Sequence, residues 1–197
     1  MQFPIKYLMH VVGNIMKPKH ILIAVFISIA IIIFLFFLHF RSNSTAPSLL
    51  KIGNAAPNTD FFLSNNQVQS ISNYSGKPVL VYFVATWCSS CSQGTKALAD
   101  NASFFSNKGI KIIELELYNN LNFSGPSINS FINFSISNKS KSELIIPGYA
   151  SYNMSKIYDP KAYLDLYYLI APNGTIIYIN GSPQATMNLI KIAANKI

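Results

Sequence analysis

The only two cysteines of this chain, Cys88 and Cys91, stand three residues apart in Thr86-Trp87-Cys88-Ser89-Ser90-Cys91. That spacing puts two side chains within one helical turn, so both sulfurs can share a single helix end. A thiol at a helix N-terminus lies beside unpaired backbone N–H groups and the positive end of the helix dipole, which favours thiolate over thiol and lowers its pKa toward neutrality. Cys88 is the nucleophile on this reading. It attacks a partner disulfide, forms a mixed disulfide, and is released when Cys91 attacks in turn. C-x-x-C has two further meanings. Structural zinc usually takes four ligands, but there is no third cysteine and all three histidines lie at or before residue 39. A permanent crosslink stays open, although so tight a loop constrains the unfolded chain little.

The flanking residues supply a scaffold for the pair. Residues 79–85, VLVYFVA, are apolar, β-branched and aromatic, which reads as a fully buried strand starting after Gly76 and Pro78. From Cys88 the pattern changes to that of a helix running to Asp100. The cysteines therefore sit at a strand-to-helix junction.

Ahead of this region lies a segment of another kind. Ile21 to Phe40 contains no Asp, Glu, Lys or Arg, and as a helix it is long enough to cross a hydrocarbon core of about 30 Å. His39 falls at its end, where an interface can solvate it. Lys6, Lys17 and Lys19 precede it and only Arg41 follows closely, so the positive-inside rule puts residues 1–20 in the cytoplasm and the rest outside. The apolar stretch exceeds the roughly 7–15 residues of a secretory signal, and the one small-residue run after it, Ser44-Thr45-Ala46, meets Pro47. It reads as an uncleaved, single-pass anchor that contacts membrane lipid. The expected organisation is a cytoplasmic segment 1–20, a transmembrane helix 21–40, a polar linker 41–50 and one domain over 51–197.

The formal net charge is +8, but residues 1–41 hold four basic and no acidic groups, which leaves eleven basic against seven acidic beyond them. An excess of +4, scattered without a basic run, argues against a nucleic-acid partner. Nine Asn-x-Ser/Thr sequons follow the apolar segment, at Asn43, Asn73, Asn101, Asn122, Asn133, Asn138, Asn153, Asn173 and Asn180. Chance placement predicts about three, and the excess agrees with an outside location and a glycoprotein.

Residues 51–100 resemble a known family. The succession Ile52-Gly53, Ala56-Pro57, Phe61-Phe62-Leu63, Gly76-Lys77-Pro78, the strand VLVYFVA and then Trp87-Cys88-Ser89-Ser90-Cys91 is similar to membrane-anchored thioredoxin-like proteins of the TlpA and ResA type. The resemblance implies an α/β thioredoxin-like fold, a central mixed sheet flanked by helices, entered through an N-terminal β-hairpin. It also implies a thiol–disulfide oxidoreductase facing away from the cytoplasm, with Cys88 and Cys91 forming the redox disulfide. Its partners would be cysteine-containing extracytoplasmic proteins and a polytopic membrane electron-transfer protein. No cofactor or metal is expected.

Beyond residue 100, Gly109 to Tyr118 alternates apolar and polar residues and reads as a strand, with Glu114 and Glu116 on one face expected to be wet or near the active site. Residues 119–130 read as a loop, Ser127 to Ile136 as a short helix and Lys139 to Glu143 as a charged turn. Leu144 to Pro160 is irregular and Tyr-rich, with a helix expected over Ser151 to Tyr158; Tyr149, Tyr152 and Tyr158 read as packing residues rather than a docking surface. Leu166 to Ala171 and Thr175 to Asn180 flank Pro-Asn-Gly and read as an antiparallel hairpin. Ser182 as N-cap and Pro183 open a final helix to Lys196, with Leu189, Ile190 and Ala193 inward. Family members carry a cis-Pro just before that hairpin, facing the sulfurs. The alignment puts Asp165 there, with Leu166 next, so Trp87, Asp165 and Leu166 are the residues expected to shape the substrate side. A cis bond at Asp165 is disfavoured by about 2.5–4 kcal/mol, and a carboxylate near the sulfurs raises a thiol pKa.

Two functions of different kind follow: an anchored thiol–disulfide oxidoreductase, or a non-catalytic thioredoxin-like surface module with a fixed disulfide. A peroxidase of this fold needs an arginine beside its cysteine, and the sole arginine is Arg41. Copper delivery needs a downstream histidine, and none follows His39.

Overall fold

The computed structural model describes residues 27–34, 49–136 and 138–197. The chain divides into two compact units, Met1–Ala46 and Pro47–Ile197. In the first, residues 27–34 are helical and exposed. The expected segment 1–20, the rest of the 21–40 span, most of the 41–50 linker and the sequon at Asn43 lie outside the described residues. Among the described residues no helix is long and apolar enough to cross a membrane.

The second unit is one seven-stranded mixed sheet in the order β2-β1-β5-β4-β3-β6-β7. The strands are β1 Asp60–Leu63, β2 Val68–Ser70, β3 Val79–Val84, β4 Lys111–Glu116, β5 Ile145–Ala150, β6 Leu166–Ile170 and β7 Ile176–Gly181. The helices are α1 Ser89–Asp100, α2 Ala102–Asn107, α3 Ile128–Ser135, α4 Lys139–Ser142, α5 Tyr152–Tyr158 and α6 Pro183–Ala194. β1 and β2 form the N-terminal hairpin, β3 lies parallel to β4 and antiparallel to β6, and β6 and β7 make the second hairpin.

All six residues of β3 are buried because both faces of the sheet are covered, which is why its sequence is apolar throughout instead of alternating. Leu80, Tyr82 and Val84 point to one side, where they pack with Leu98 and Ala99 of α1 and Ile190 and Ala193 of α6. Val79, Val81 and Phe83 point to the other, against Met154 and Tyr158 of α5. Burying each such side chain contributes roughly 1.5–3 kcal/mol. Tyr158 is core, as expected, whereas Tyr152 stays exposed.

Several expectations are corrected here. Residues 145–150 are not irregular but form β5, an interior strand between β1 and β4. Pro147 and Gly148 disguised it, since both weaken a strand pattern. The sheet tolerates them because the Pro147 carbonyl still accepts from the Ser64 N–H at 3.0 Å. Gly148 is needed there: a Cβ would stand 2.5 Å from the Phe62 oxygen. Lys139 to Ser142 is a short helix, not only a turn. Ser182 does not cap α6 through its side chain but sits at a left-handed φ of 53°, and Leu189 is 47% exposed instead of facing inward.

Candidate active site

β3 ends where the chain must turn into α1, and that turn is the site. Cys88 is the N-cap of α1, in extended conformation, and its Sγ accepts the Cys91 N–H at 3.1 Å. The helix end thus presents an unpaired donor to that sulfur. Cys88 and Cys91 are joined in a disulfide, their Cα atoms 5.3 Å apart. Ser90 Oγ lies 3.2 Å from Cys88 Sγ. Cys88 retains 5% exposure and Cys91 none, so an incoming sulfur reaches Cys88 first.

Residues 118–122 hold the front of this turn. Asn120 Oδ1 accepts the Thr86 N–H and its Nδ2 donates to Thr86 Oγ1, both at 2.9 Å. Its backbone carbonyl accepts the Trp87 indole N–H, also at 2.9 Å. Phe123 lies against the indole with ring centroids 4.9 Å apart. Trp87, Cys88, Pro126, Phe131 and Phe134 line an open groove of about 550 Å³ with no charged side chain, and Phe134 is 86% exposed.

Behind the cysteines the sheet register assembles a polar cluster. Tyr82 on β3 pairs with Glu114 on β4 and with Tyr167 on β6, so the three side chains stand in a row on the face that α1 covers. The Tyr82 hydroxyl contacts the Cys91 carbonyl at 3.1 Å and hydrogen-bonds to Asp165 Oδ1. Thr95 Oγ1 contacts the same carbonyl at 3.0 Å and Glu114 Oε1 at 2.8 Å. Each hydroxyl carries one proton, so it donates to the carbonyl or to the carboxylate but not to both. Tyr82 donates to Asp165 and Thr95 to Glu114, with the Cys91 carbonyl within reach of both hydroxyls.

Burial governs the electrostatics of both acids. Burial pushes Glu114 up to about 8 against the Thr95 hydrogen bond, with Asp165 adding to the rise. Burial also raises Asp165, while the hydroxyl of Tyr82 and nearby Ser182, Gln184 and Ser90 pull it down. Tyr82 is raised first by burial and then by Asp165 and Glu114. Glu114 Oε2 and Asp165 Oδ2 are buried without partners, a cost smaller for a neutral acid than for an anion. Glu114 is therefore near the active site but fully buried, not wet; Glu116 is half-buried.

Asp165 faces α1 at a left-handed φ of 71°, and the described residues contain no cis peptide bond. Its carboxylate fills the space over Gly94, where a Cβ would meet the Tyr82 hydroxyl, Asp165 Oδ1 at 2.7 Å and Pro183 Cδ at 3.0 Å. Gly94→Ala is thus expected to cost about 1–2 kcal/mol, because overpacking of roughly 1–3 kcal/mol outweighs a helix-propensity gain of at most about 1. A lowered urea midpoint at unchanged m checks it. Leu166 is placed elsewhere. Strand alternation turns it to the opposite face, against the cluster around Val81 and Phe83. Of the three residues expected to shape the substrate side, Trp87 and Asp165 stand by the cysteines.

Residues 52–138 match the AhpC/TSA family. No curated protein sequence matches the chain. Among solved structures it is similar to a protein assigned as thiol:disulfide interchange protein DsbE from Chlorobium tepidum, at 18% identity and a TM-score of 0.57 over 75% of this chain and 99% of that one. It is also similar to a thiol:disulfide interchange protein from Bacteroides sp., at 19% identity and a TM-score of 0.55 over 74% and 91%, and to copper-bound ScoI of Arabidopsis thaliana, at 14% and 0.53 over 75% and 100%. This is a thioredoxin-like fold. The resemblance read from residues 51–100 therefore holds at the level of fold.

Within this thioredoxin-like domain, Tyr82, Thr95 and Asn120 are site residues that sequence reasoning did not assign, and Glu114 was expected only on a face either wet or near the active site. Glu114 and Tyr82 left a signal: each interrupts an apolar strand face, at a position the alternation turns toward α1. Thr95 and Asn120 left none. Of the described sequons, Asn73, Asn122, Asn133, Asn138, Asn153 and Asn173 are exposed. The Asn101 and Asn180 amides instead donate to the Ala97 carbonyl and the Tyr178 hydroxyl.

Proposed function

We propose that this chain is a thiol–disulfide oxidoreductase acting on protein cysteines outside a membrane, to which residues 21–40 anchor it. The observation that carries the reading is the Cys88–Cys91 disulfide at the N-terminus of α1, with Cys88 as both the helix cap and the more exposed sulfur. In the reducing direction the Cys88 thiolate attacks a target disulfide. A Cys88–target disulfide forms and one target thiolate leaves. Cys91, deprotonated, then attacks Cys88 Sγ, regenerating the internal disulfide and releasing the second target thiolate. Two electrons pass from the cysteine pair to the target; the oxidising direction is the reverse.

The lysines before residue 20 and the exposed sequons support an outside location, with residues 1–20 cytoplasmic and glycans on several of the exposed asparagines. A polytopic membrane protein would then relay electrons to or from the pair. The test is insulin reduction by the full-length chain in detergent with a thiol supply. Turnover is expected. None under any thiol supply would leave a binding module with a fixed disulfide, the reading that the buried Asp165 favours. The reduction potential sets the direction: about −270 mV or lower marks a reductant, and about −120 mV marks a disulfide-forming oxidant.

A further inference from the structure

Disulfide exchange makes no direct use of the turn at 118–122, yet that turn is the most unusual backbone in the domain. Asn119, Asn120, Leu121 and Asn122 hold positive φ values of 52°, 49°, 57° and 66° in succession. Single asparagines visit this region, whereas runs of it are avoided. Strain of this kind persists only where its surroundings over-determine it. Asn120 is what over-determines it here. Its amide is spent on the N–H and hydroxyl of Thr86, two residues before Cys88, and its carbonyl takes the indole N–H of Trp87. Its own N–H donates to the Leu117 oxygen at 2.8 Å. Phe123 backs the indole, and Gly125 closes over the contact so tightly that a Cβ would stand 2.6 Å from Asn120 Nδ2 and 3.2 Å from the Trp87 nitrogen.

Everything this turn holds lies on the groove side of the nucleophile. Trp87 lines the uncharged groove that opens at Cys88, together with Phe131 and Phe134. We infer that Asn120 is a positioning residue: by fixing Trp87 beside Cys88 it determines how well the enzyme takes a polypeptide disulfide with apolar flanks, more than how readily Cys88 reacts. The inference rests on the oxidoreductase reading above. A small disulfide touches the sulfurs alone, whereas a polypeptide one also draws on the groove, so the two substrates separate docking from reactivity.

For the test, the full-length chain in detergent is reduced, desalted and mixed in single turnover with insulin or with hydroxyethyl disulfide. The two cysteine thiols become the internal disulfide while the target disulfide becomes two thiols, so no other electron donor is needed. Alkylation and intact mass of the chain give the rates. Asn120→Gly removes the amide but keeps a residue at home with a positive φ. Phe123→Ala leaves Asn120 in place and removes only the ring behind Trp87. The ratio of second-order rate constants, insulin over hydroxyethyl disulfide, is expected to fall about tenfold in Asn120→Gly and about threefold in Phe123→Ala. Should Asn120→Gly not fold, the ratio in Phe123→Ala decides. A ratio equal to that of the unaltered chain, with only a lower melting temperature, would make Asn120 structural and overturn the proposal. An unaltered chain that oxidises with neither disulfide would instead overturn the oxidoreductase reading, and this inference with it.

Discussion

Cys91→Ser is expected to turn the chain into a trap for its targets, and Cys88→Ser is not. Both variants should lose at least about 10³-fold in insulin turnover, because each removes one of two sulfurs that act as a unit. They differ in what accumulates. Without Cys91, Cys88 still attacks and the mixed disulfide has no internal sulfur to break it, so a reducible adduct with a cysteine-bearing protein builds up. Without Cys88, the remaining Cys91 is fully buried and cannot be reached. Non-reducing gels of each variant after mixing with a disulfide-bearing protein read the difference. An adduct on Cys88→Ser but not on Cys91→Ser would reverse the assignment of roles.

The second large effect is on stability and pH. Glu114 is raised from 4.5 to about 8 by burial, so between those values the folded chain holds a proton that the unfolded chain has released. Stability on this account is highest below about pH 4.5, falls as pH rises toward 8, and levels off above it. At about 1.36 kcal/mol per pKa unit the loss is on the order of a few kcal/mol. Glu114→Gln supplies a neutral amide that needs no proton. Its urea midpoint should fall less between pH 5 and pH 9 than that of the unaltered chain, and at pH 9 the variant should be the more stable. Asp165 and Asp159, the latter raised to about 6 by burial, act with the same sign and keep part of the slope. An unchanged slope in Glu114→Gln would remove Glu114 as its source. The measurement is made with the disulfide intact, so that cysteine titration does not enter.

Local patterns made much of the domain readable. VLVYFVA is β3, the run after Cys88 is α1, and the two β-rich runs around Pro-Asn-Gly are β6 and β7. Each is an element whose hydrophobic period and turn chemistry agree with the global fold. β5 was illegible for the opposite reason. Its proline and glycine contradict local strand propensity, and only a vacant edge of β4 and the close approach of β1 make a strand there favourable.

Asp165 marks the boundary between the two kinds of information. Counting back from Pro172-Asn173-Gly174 put it opposite the cysteines, but no pattern said that its side chain would be buried, joined to Tyr82 and fitted over Gly94. The sequence by itself determined the chemistry on offer: two thiols three residues apart at the start of a helix, no other thiol, and no histidine beyond residue 39. Tertiary structure alone decided which groups surround them. Strand register set Tyr82, Glu114 and Tyr167 side by side, and a left-handed turn whose Asn120 lies 34 residues after Thr86 closed on Thr86 and Trp87. Such neighbours are remote in sequence and joined by hydrogen bonds whose partners only the folded backbone brings within reach, so no local period can announce them.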